Sequence, residues 1–276
     1  MRKHVPLVAV VWIVIAEATL QATSPSPLSL PIVFVPMPPP NVSSGLHVTA
    51  FNLTTPRTPG VPVPAWLAHV PAPHGQLHAL PPSPAGCVSR EKPSVVGEAC
   101  AWAVNGGPFT FHGGHCVGGL VSDGKIVASL GTSDAVRWGV TSDGSHVFGP
   151  LTDAHVSSFG IIQLLSGFAE SGYLVTDRAP TVYPTSALIA PRTAIGVDQD
   201  GGLLILTVDG SEGHVGLNLT ELAAAMAGLG ARYALNLDGG GSTSASAYGR
   251  VQDQPTCDDH MGHICERPVA SVLCVK

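Results

Sequence analysis

Three consecutive stretches decide how this chain is read: "GLLILTVDG" at residues 202–210, "NLTELAAAMAGLGARY" at 218–233 and "YALNLDGGGS" at 233–242. The first is a short apolar run closed by Asp209-Gly210, the pattern of a buried strand that ends at a turn. In the second, Leu219, Leu222, Met226 and Leu229 recur at helical spacing. Asn218 or Thr220 can cap its start, Glu221 suits the first turn, and Gly228 and Gly230 supply stop signals. The third alternates again as a strand and ends at Asp238-Gly239. If the two strands lie parallel in one sheet, the unit is a strand–helix–strand crossover. Asp209 and Asp238 then both leave the sheet at strand carboxyl ends, where ligands of α/β sheets gather.

Further from this unit, Asp-Gly turn signals recur in "VSDGK", "TSDGS", "DQDGG" and "TVDGS", each beside apolar, often β-branched runs. Such turns mark tight hairpins. The predicted fold class is α+β: a strand-rich mixed-sheet domain with few helices, including the strand–helix–strand unit near the C-terminus. The predicted organisation is a signal peptide over 1–22, a proline-rich arm over 23–85 and the main domain over 86–276. Arg2 and Lys3 precede the apolar run "VPLVAVVWIVIA", and Ala18 or Ala22 suits a cleavage site. That run is short for a bilayer span of about 20 residues, and no second one of that length occurs, so no span is expected in the mature chain. "SPSPLSLPIVFVPMPPP", "TPRTPGVPVPAW" and "ALPPSPAG" carry the prolines of the arm, and proline resists both helix and central strand. The arm is expected to lie on or beside the main domain, with "LHVTAFNLT" as a possible edge strand. The domain is expected to fold without it.

Hydrophobic residues make up 45% of the 276, so a substantial core is available. Charged residues make up only 12%, the formal net charge is -6 and no basic cluster occurs, which argues against nucleic acid as a partner. Cys87, Cys100, Cys116, Cys257, Cys265 and Cys274 include no CxxC pair, which disfavours zinc. An even number in an exported chain suggests disulfides. Cys257 and Cys265 bracket a short polar loop and are expected to pair. Sequons at Asn41, Asn52 and Asn218 also point to the secretory pathway.

From Cys87 to the C-terminus, motifs follow in order: "NGGPF" (105–109), "CVGGLVSDGKIVAS" (116–129), "QLLSG" (163–167), "APRTAIG" (190–196), "VDG" (208–210), "NLDGGGS" (236–242) and the tail "CERPVASVLCV" (265–275). On these the chain resembles the phosphodiester glycosidase family. The resemblance implies a hydrolase that removes N-acetylglucosamine, or a related sugar, from a sugar-1-phosphodiester. It exposes a phosphomonoester such as mannose 6-phosphate on a glycoprotein, a step in lysosomal enzyme targeting. The implied partner is a phosphorylated glycan or glycoprotein, and the implied location is secreted or lumenal, in the Golgi or a lysosome-related compartment. The resemblance also implies the pairs Cys87–Cys116 and Cys100–Cys274. Pro108 departs from the family, standing where members often carry an aromatic residue, and Gly119 replaces an Asn of the animal member.

Such a substrate gives the glycines a purpose. Gly239, Gly240 and Gly241 can turn successive N–H groups toward the anion, and Ser242 and Thr243 add hydroxyls. Tight packing of a hairpin is the competing reading. Arg192 can fork onto two phosphate oxygens, or pair with a carboxylate for structure alone. Loss of the phosphate leaves an oxocarbenium-like sugar, so a carboxylate must act as nucleophile or activate water. Asp238 is the first candidate and Asp209 the second, although either can simply bond its own turn. Asp123, Asp143 and Asp200 are read as turn residues. Asn105, with Gly106 and Gly107, can meet a sugar hydroxyl, an acetamido group or phosphate, or hold a structural turn. Ser166 and Gly167 can wall the pocket. His112, His115, His260 and His263 show no zinc spacing. No cofactor is required by the sequence, although aspartates near phosphate can recruit a divalent ion. A non-catalytic glycan-phosphate-binding protein would need the glycines and Arg192 but no competent carboxylate. The presence of both Asp209 and Asp238 favours an enzyme.

Overall fold

Leu203–Val208 is buried along its whole length because it lies near the middle of a large sheet. The structure, a computed structural model, describes residues 12–14, 30–38, 45–257 and 264–276. Asn41, His260, His263 and most of the signal-peptide segment lie outside the described residues. Leu203–Val208 pairs antiparallel with Arg192–Val197, and Tyr233–Asn236 pairs antiparallel with the other edge of that same strand. The two outer strands are therefore parallel to each other with one strand between them, and the helix Leu219–Gly228 crosses from one to the other. Asn218 starts the helix. Its side chain accepts the Glu221 N–H at 2.9 Å, and the Glu221 carboxylate accepts the Asn218 N–H at 3.0 Å. That reciprocal pair satisfies two donors that a helix start otherwise leaves open.

Side chains alternate across the central strands. Leu204, Leu206 and Ala194 pack under the helix with Leu222 and Met226. Leu203, Ile205, Ile195 and Val197 face the opposite way, into a core shared with Trp102, Trp138, Phe148 and Leu273. Both faces are covered, so the strands read as unbroken apolar runs. Two smaller sheets close that second face. One runs in the order 33–35, 146–149, 137–141, 161–166, 120–122, 125–128, and the other 250–251, 245–247, 102–105, 272–275, 77–80. Asp123-Gly124, Asp143-Gly144 and Asp200-Gly201 turn antiparallel hairpins, as the sequence indicates. The architecture is the expected strand-rich α+β fold. Disulfides join Cys87 to Cys116, Cys100 to Cys274 and Cys257 to Cys265, the pairs expected. Cys100–Cys274 ties the strand Val272–Val275 to the segment just before Trp102–Asn105.

The proline-rich segment differs from an arm laid beside the domain. Its pieces supply a strand to every sheet: Val33–Val35, the long hairpin His47–Thr55 with Thr58–Val70, and Leu77–Leu80. The prolines permit this because of where they fall. Thr58–Val70 pairs with His47–Thr55 over most of its length, but only Ala65–Val70 also pair with Leu203–Val208. Pro59, Pro62 and Pro64 all precede Ala65, in the half with a single partner. A missing N–H is tolerated on an edge that donates to nothing. Beyond that point Ala65, Ala68 and Val70 are fully buried. A domain bounded at residue 86 omits these strands.

Deleting residues 45–80 should therefore abolish cooperative folding of the full chain. The cut removes an interior partner of Leu203–Val208 and exposes apolar surface at roughly 25 cal/mol per Å². Circular dichroism melts of the deletion variant against the parent would check this. A soluble variant with a sharp transition near the parental midpoint would show that the prolines do mark a dispensable arm.

Candidate active site

The chain leaves the large sheet at Asn236 and enters the third sheet at Ala245, so "LDGGGSTS" is the crossing between them. Asp238 sits at its start. Arg192 opens the neighbouring strand and pairs with Val208 in register, and Asp209 follows Val208 directly. Strands in a sheet lie about 4.8 Å apart, so the two aspartate-bearing ends are about 10 Å apart with Arg192 between them. The structure thus brings the three candidates to one end of one sheet. No hydrogen bond links them to each other among the described residues.

Arg192 is 8% exposed. Nε donates to the Leu217 carbonyl at 3.0 Å and Nη2 to the Leu188 carbonyl at 2.9 Å. These bonds fix the guanidinium and leave Nη1 beside the Asp238 turn, where a Cβ added to Gly239 would lie 3.8 Å from it. Burial lowers the pKa of Arg192, and Glu212 partly offsets this. An arginine stays charged in any such setting. Asp238 is half-buried, and its Oδ1 accepts the Gly239 N–H at 3.0 Å.

Asp209 keeps different company. It is 5% exposed; Oδ1 accepts the Gln254 N–H at 3.1 Å, and Oδ2 is buried without a partner among the described residues. Burial raises its pKa from 3.8 to about 6. Asp253, one residue before Gln254, is buried with neither carboxylate oxygen partnered among the described residues. Its pKa is raised well above the usual carboxylate range, first by burial and further by the charges of Asp209 and Glu266. Asp253 was not legible as a site residue, since "VQDQP" carries no turn or motif signal.

The glycines are needed, but the atoms that come closest belong to the protein. A Cβ on Gly239 would sit 3.0 Å from the Pro191 carbonyl, and one on Gly241 would collide with the Arg267 guanidinium and come within 2.7 Å of the Thr256 carbonyl. Gly240 has φ +58, the left-handed region that glycine enters without penalty. The Gly239 amide serves Asp238, and the Gly240 amide donates to the Pro191 carbonyl at 2.9 Å. Of the three amides, that of Gly241 alone has no partner among the described residues. Ser242 Oγ lies 3.4 Å from Arg267 Nη1, and Thr243 Oγ1 is buried without a partner there. Arg267 is a second guanidinium on the far side of the turn from Arg192. The tail motif "CERP" contained it, but its place beside the turn depends on the fold.

Asn105 is fully buried, and its amide is committed inside the protein. Nδ2 donates to the Asp238 carbonyl at 2.7 Å, while Oδ1 accepts from Thr193 Oγ1 at 2.6 Å and from the Ser244 N–H at 3.2 Å. Gly106 packs against Ser271, and Gly107 against the backbone of Ser166. Ser166 Oγ bonds the Gly167 carbonyl at 3.0 Å, and a Cβ on Gly167 would lie 2.8 Å from the Asn236 carbonyl. "NGGPF" and "QLLSG" thus bring the two smaller sheets against the crossing. His112 and His115 lie exposed on the following loop. No group of three or more His, Cys, Asp or Glu is placed to hold a metal ion among the described residues.

The family profile described as phosphodiester glycosidase matches residues 98–276. Bovine N-acetylglucosamine-1-phosphodiester alpha-N-acetylglucosaminidase is 32% identical over 261 residues, covering 86% of this chain and 49% of the bovine protein. The human protein of that name is 34% identical over 217 residues, covering 71% and 42%. The chain thus spans about half the length of the curated relatives it matches. The catalytic domain of the zebrafish protein of that name, auto-inhibited by its pro-peptide, superposes with a TM-score of 0.79 at 27% identity, covering 89% of this chain and 88% of that one.

The raised pKa of Asp209 makes a stability prediction. Between pH 3.8 and about 6 the folded chain holds a proton at this site that the unfolded chain releases, so folding stability falls as pH rises through that window. The full effect is on the order of 3 kcal/mol. Asp209→Asn removes the ionisation, so the variant should gain on the parent in melting temperature from pH 4 to pH 7. Melting curves across that range would measure it. A difference between the two proteins that stays constant with pH would show that Asp209 titrates normally.

Proposed function

Because the chain belongs to the phosphodiester glycosidase family, we propose that it hydrolyses N-acetylglucosamine, or a closely related sugar, from a sugar-1-phosphodiester on a glycoprotein, uncovering a phosphomonoester such as mannose 6-phosphate. The observation that carries this reading is the position of Arg192 Nη1 beside Gly239, next to Asp238. A diester held by that guanidinium and the Gly241 amide has its glycosyl carbon within reach of the Asp238 side of the turn.

In this scheme the bond between the anomeric carbon and the phosphate oxygen breaks. Its electron pair leaves on the phosphate, whose growing charge Arg192 stabilises. A phosphate monoester is a far better leaving group than a sugar alkoxide, so the departing oxygen needs little acid help. Asp238 meets the oxocarbenium-like carbon as nucleophile, or takes the proton from an attacking water. Asp209, with a pKa of about 6, is the second carboxyl at this sheet end and can hold a proton there. We assign the protein to the lumen of the secretory pathway. Disulfides persist in oxidising compartments. Among the described residues no helix is long and apolar enough to cross a membrane.

Asp238→Asn should lower kcat by on the order of 10²-fold or more with little change in KM. Arg192→Ala should raise KM and also lower kcat, because it holds the phosphate both before and during departure. Kinetics on an N-acetylglucosamine-1-phosphodiester, with melting curves as the folding control, would separate the two. A folded Asp238→Asn protein that turns over like the parent removes Asp238 from the chemistry.

A further inference from the structure

The turn that carries Asp238 is physically continuous with an exposed aromatic ring. Arg267 Nη1 reaches Ser242 Oγ at 3.4 Å, and the same guanidinium lies over the ring of Phe111, 5.2 Å from its centroid. Phe111 is nonetheless 61% exposed. Phe109 stands 5.6 Å from it, centroid to centroid, and Arg90 lies 5.8 Å over Phe109. Past this stack opens a groove of about 370 Å³ lined by Val88, Ser89, Arg90, Gly113, Gly114 and Pro268. Its walls adjoin the stack in sequence, since Pro268 follows Arg267, and Gly113 and Gly114 follow Phe111 closely.

The walls are held in place. The disulfide Cys87–Cys116 ties the segment that carries Val88 to Arg90 to the loop that carries Phe111. That loop closes on itself through Thr110, whose N–H donates to the His115 carbonyl at 2.9 Å and whose carbonyl accepts the Gly114 N–H at 3.1 Å. A large side chain left in water costs free energy, and here it is fixed on a covalently tied loop.

We propose that Phe111 and the groove beside it form the subsite for the aglycone, the sugar that carries the phosphate. This deepens the hydrolase reading and rests on it. The phosphate at the turn has two sides. Asp238 and Arg192 occupy the side where the glycosyl carbon reacts, so the other ester arm leaves past Arg267. A hexose there presents an apolar face of axial C–H groups to Phe111 and hydroxyls to Ser89 and the Arg90 guanidinium. The volume lies in the range of small-molecule sites and suits one or two sugar rings. A protein surface would instead meet one exposed aromatic ring and two small apolar residues, Val88 and Pro268, with glycine backbone and polar groups between them.

The test uses the full chain as parent, Phe111→Ala and Phe111→Trp. Kinetics compare two N-acetylglucosamine-1-phosphodiesters, one esterified to O6 of methyl α-mannoside and one to methanol. Phe111→Ala should lose about tenfold in kcat/KM on the mannoside diester, mostly through KM, and at least about fivefold more than on the methyl diester. Phe111→Trp should restore it. Equal losses on both substrates would overturn the subsite and leave Phe111 a support for Arg267. Calorimetric titration with methyl α-mannoside 6-phosphate needs no turnover. The parent should bind about tenfold more tightly than Phe111→Ala. Equal affinity would overturn the subsite, including the case where only the intact glycoprotein senses Phe111 and the groove holds protein. A parent that turns over neither diester defeats the hydrolase reading, while the titration still decides the subsite.

Discussion

The amide of Asn105 is the constraint on which the site depends. It belongs to the third sheet, takes a hydrogen bond from Thr193 in the large sheet, and holds both ends of the glycine crossing through the Asp238 carbonyl and the Ser244 N–H. Thr193 and Ser244 are fully buried, so the bonds to them form where water cannot replace them, and Asp238 is half-buried. Removing the amide would strand a carbonyl, a hydroxyl and an N–H at once. The position of Asp238 is thus inherited from Asn105, and that explains why "NGGPF" and "NLDGGGS" lie far apart in sequence yet belong to one site. Asn105 acts through the backbone of Asp238, with its own polar atoms committed to the protein.

The same junction explains the glycines. Three sheets converge on the crossing, and their backbones approach more closely than a Cβ allows. Gly106 meets Ser271, Gly107 meets Ser166 and Gly167 meets Asn236. The crossing is squeezed by the Pro191 carbonyl on one flank and by Arg267 and Thr256 on the other. This close packing sets the geometry in which the Gly241 amide and Nη1 of Arg192 have no hydrogen-bond partner among the described residues. Packing and function are therefore two consequences of the same glycines.

The strand–helix–strand unit was legible because each of its parts carries a local signal: an apolar run, the Asn218–Glu221 cap, a glycine stop and a second run. Asp209 and Asp238 at one sheet end followed from that unit alone. The proline-rich segment was not legible, because what matters is which edge of Thr58–Val70 is paired at each proline, and pairing is a tertiary property. Asp253 and Arg267 were hidden for a similar reason. Neither stands at a turn, and burial without a partner, or a place beside Gly241, exists only once the third sheet has folded against the first.

Charge balance closes the account of the site. Asp209, Asp253 and Glu266 lie together on one flank, and Asp253 feels the charges of both others. Were all three ionised beside Asp238, the two guanidinia would be outnumbered. Burial resolves this by favouring the neutral form of Asp209 and Asp253. With those protons in place, Arg192 and Arg267 stand on either side of the turn against Asp238 and Glu266, and Glu266 is already held by Ser94 and Ser244. As pH rises through about 6, Asp209 ionises and adds negative charge to this flank. The carboxyls whose ionisation costs the fold stability at high pH are thus the ones whose protonation limits negative charge beside the turn.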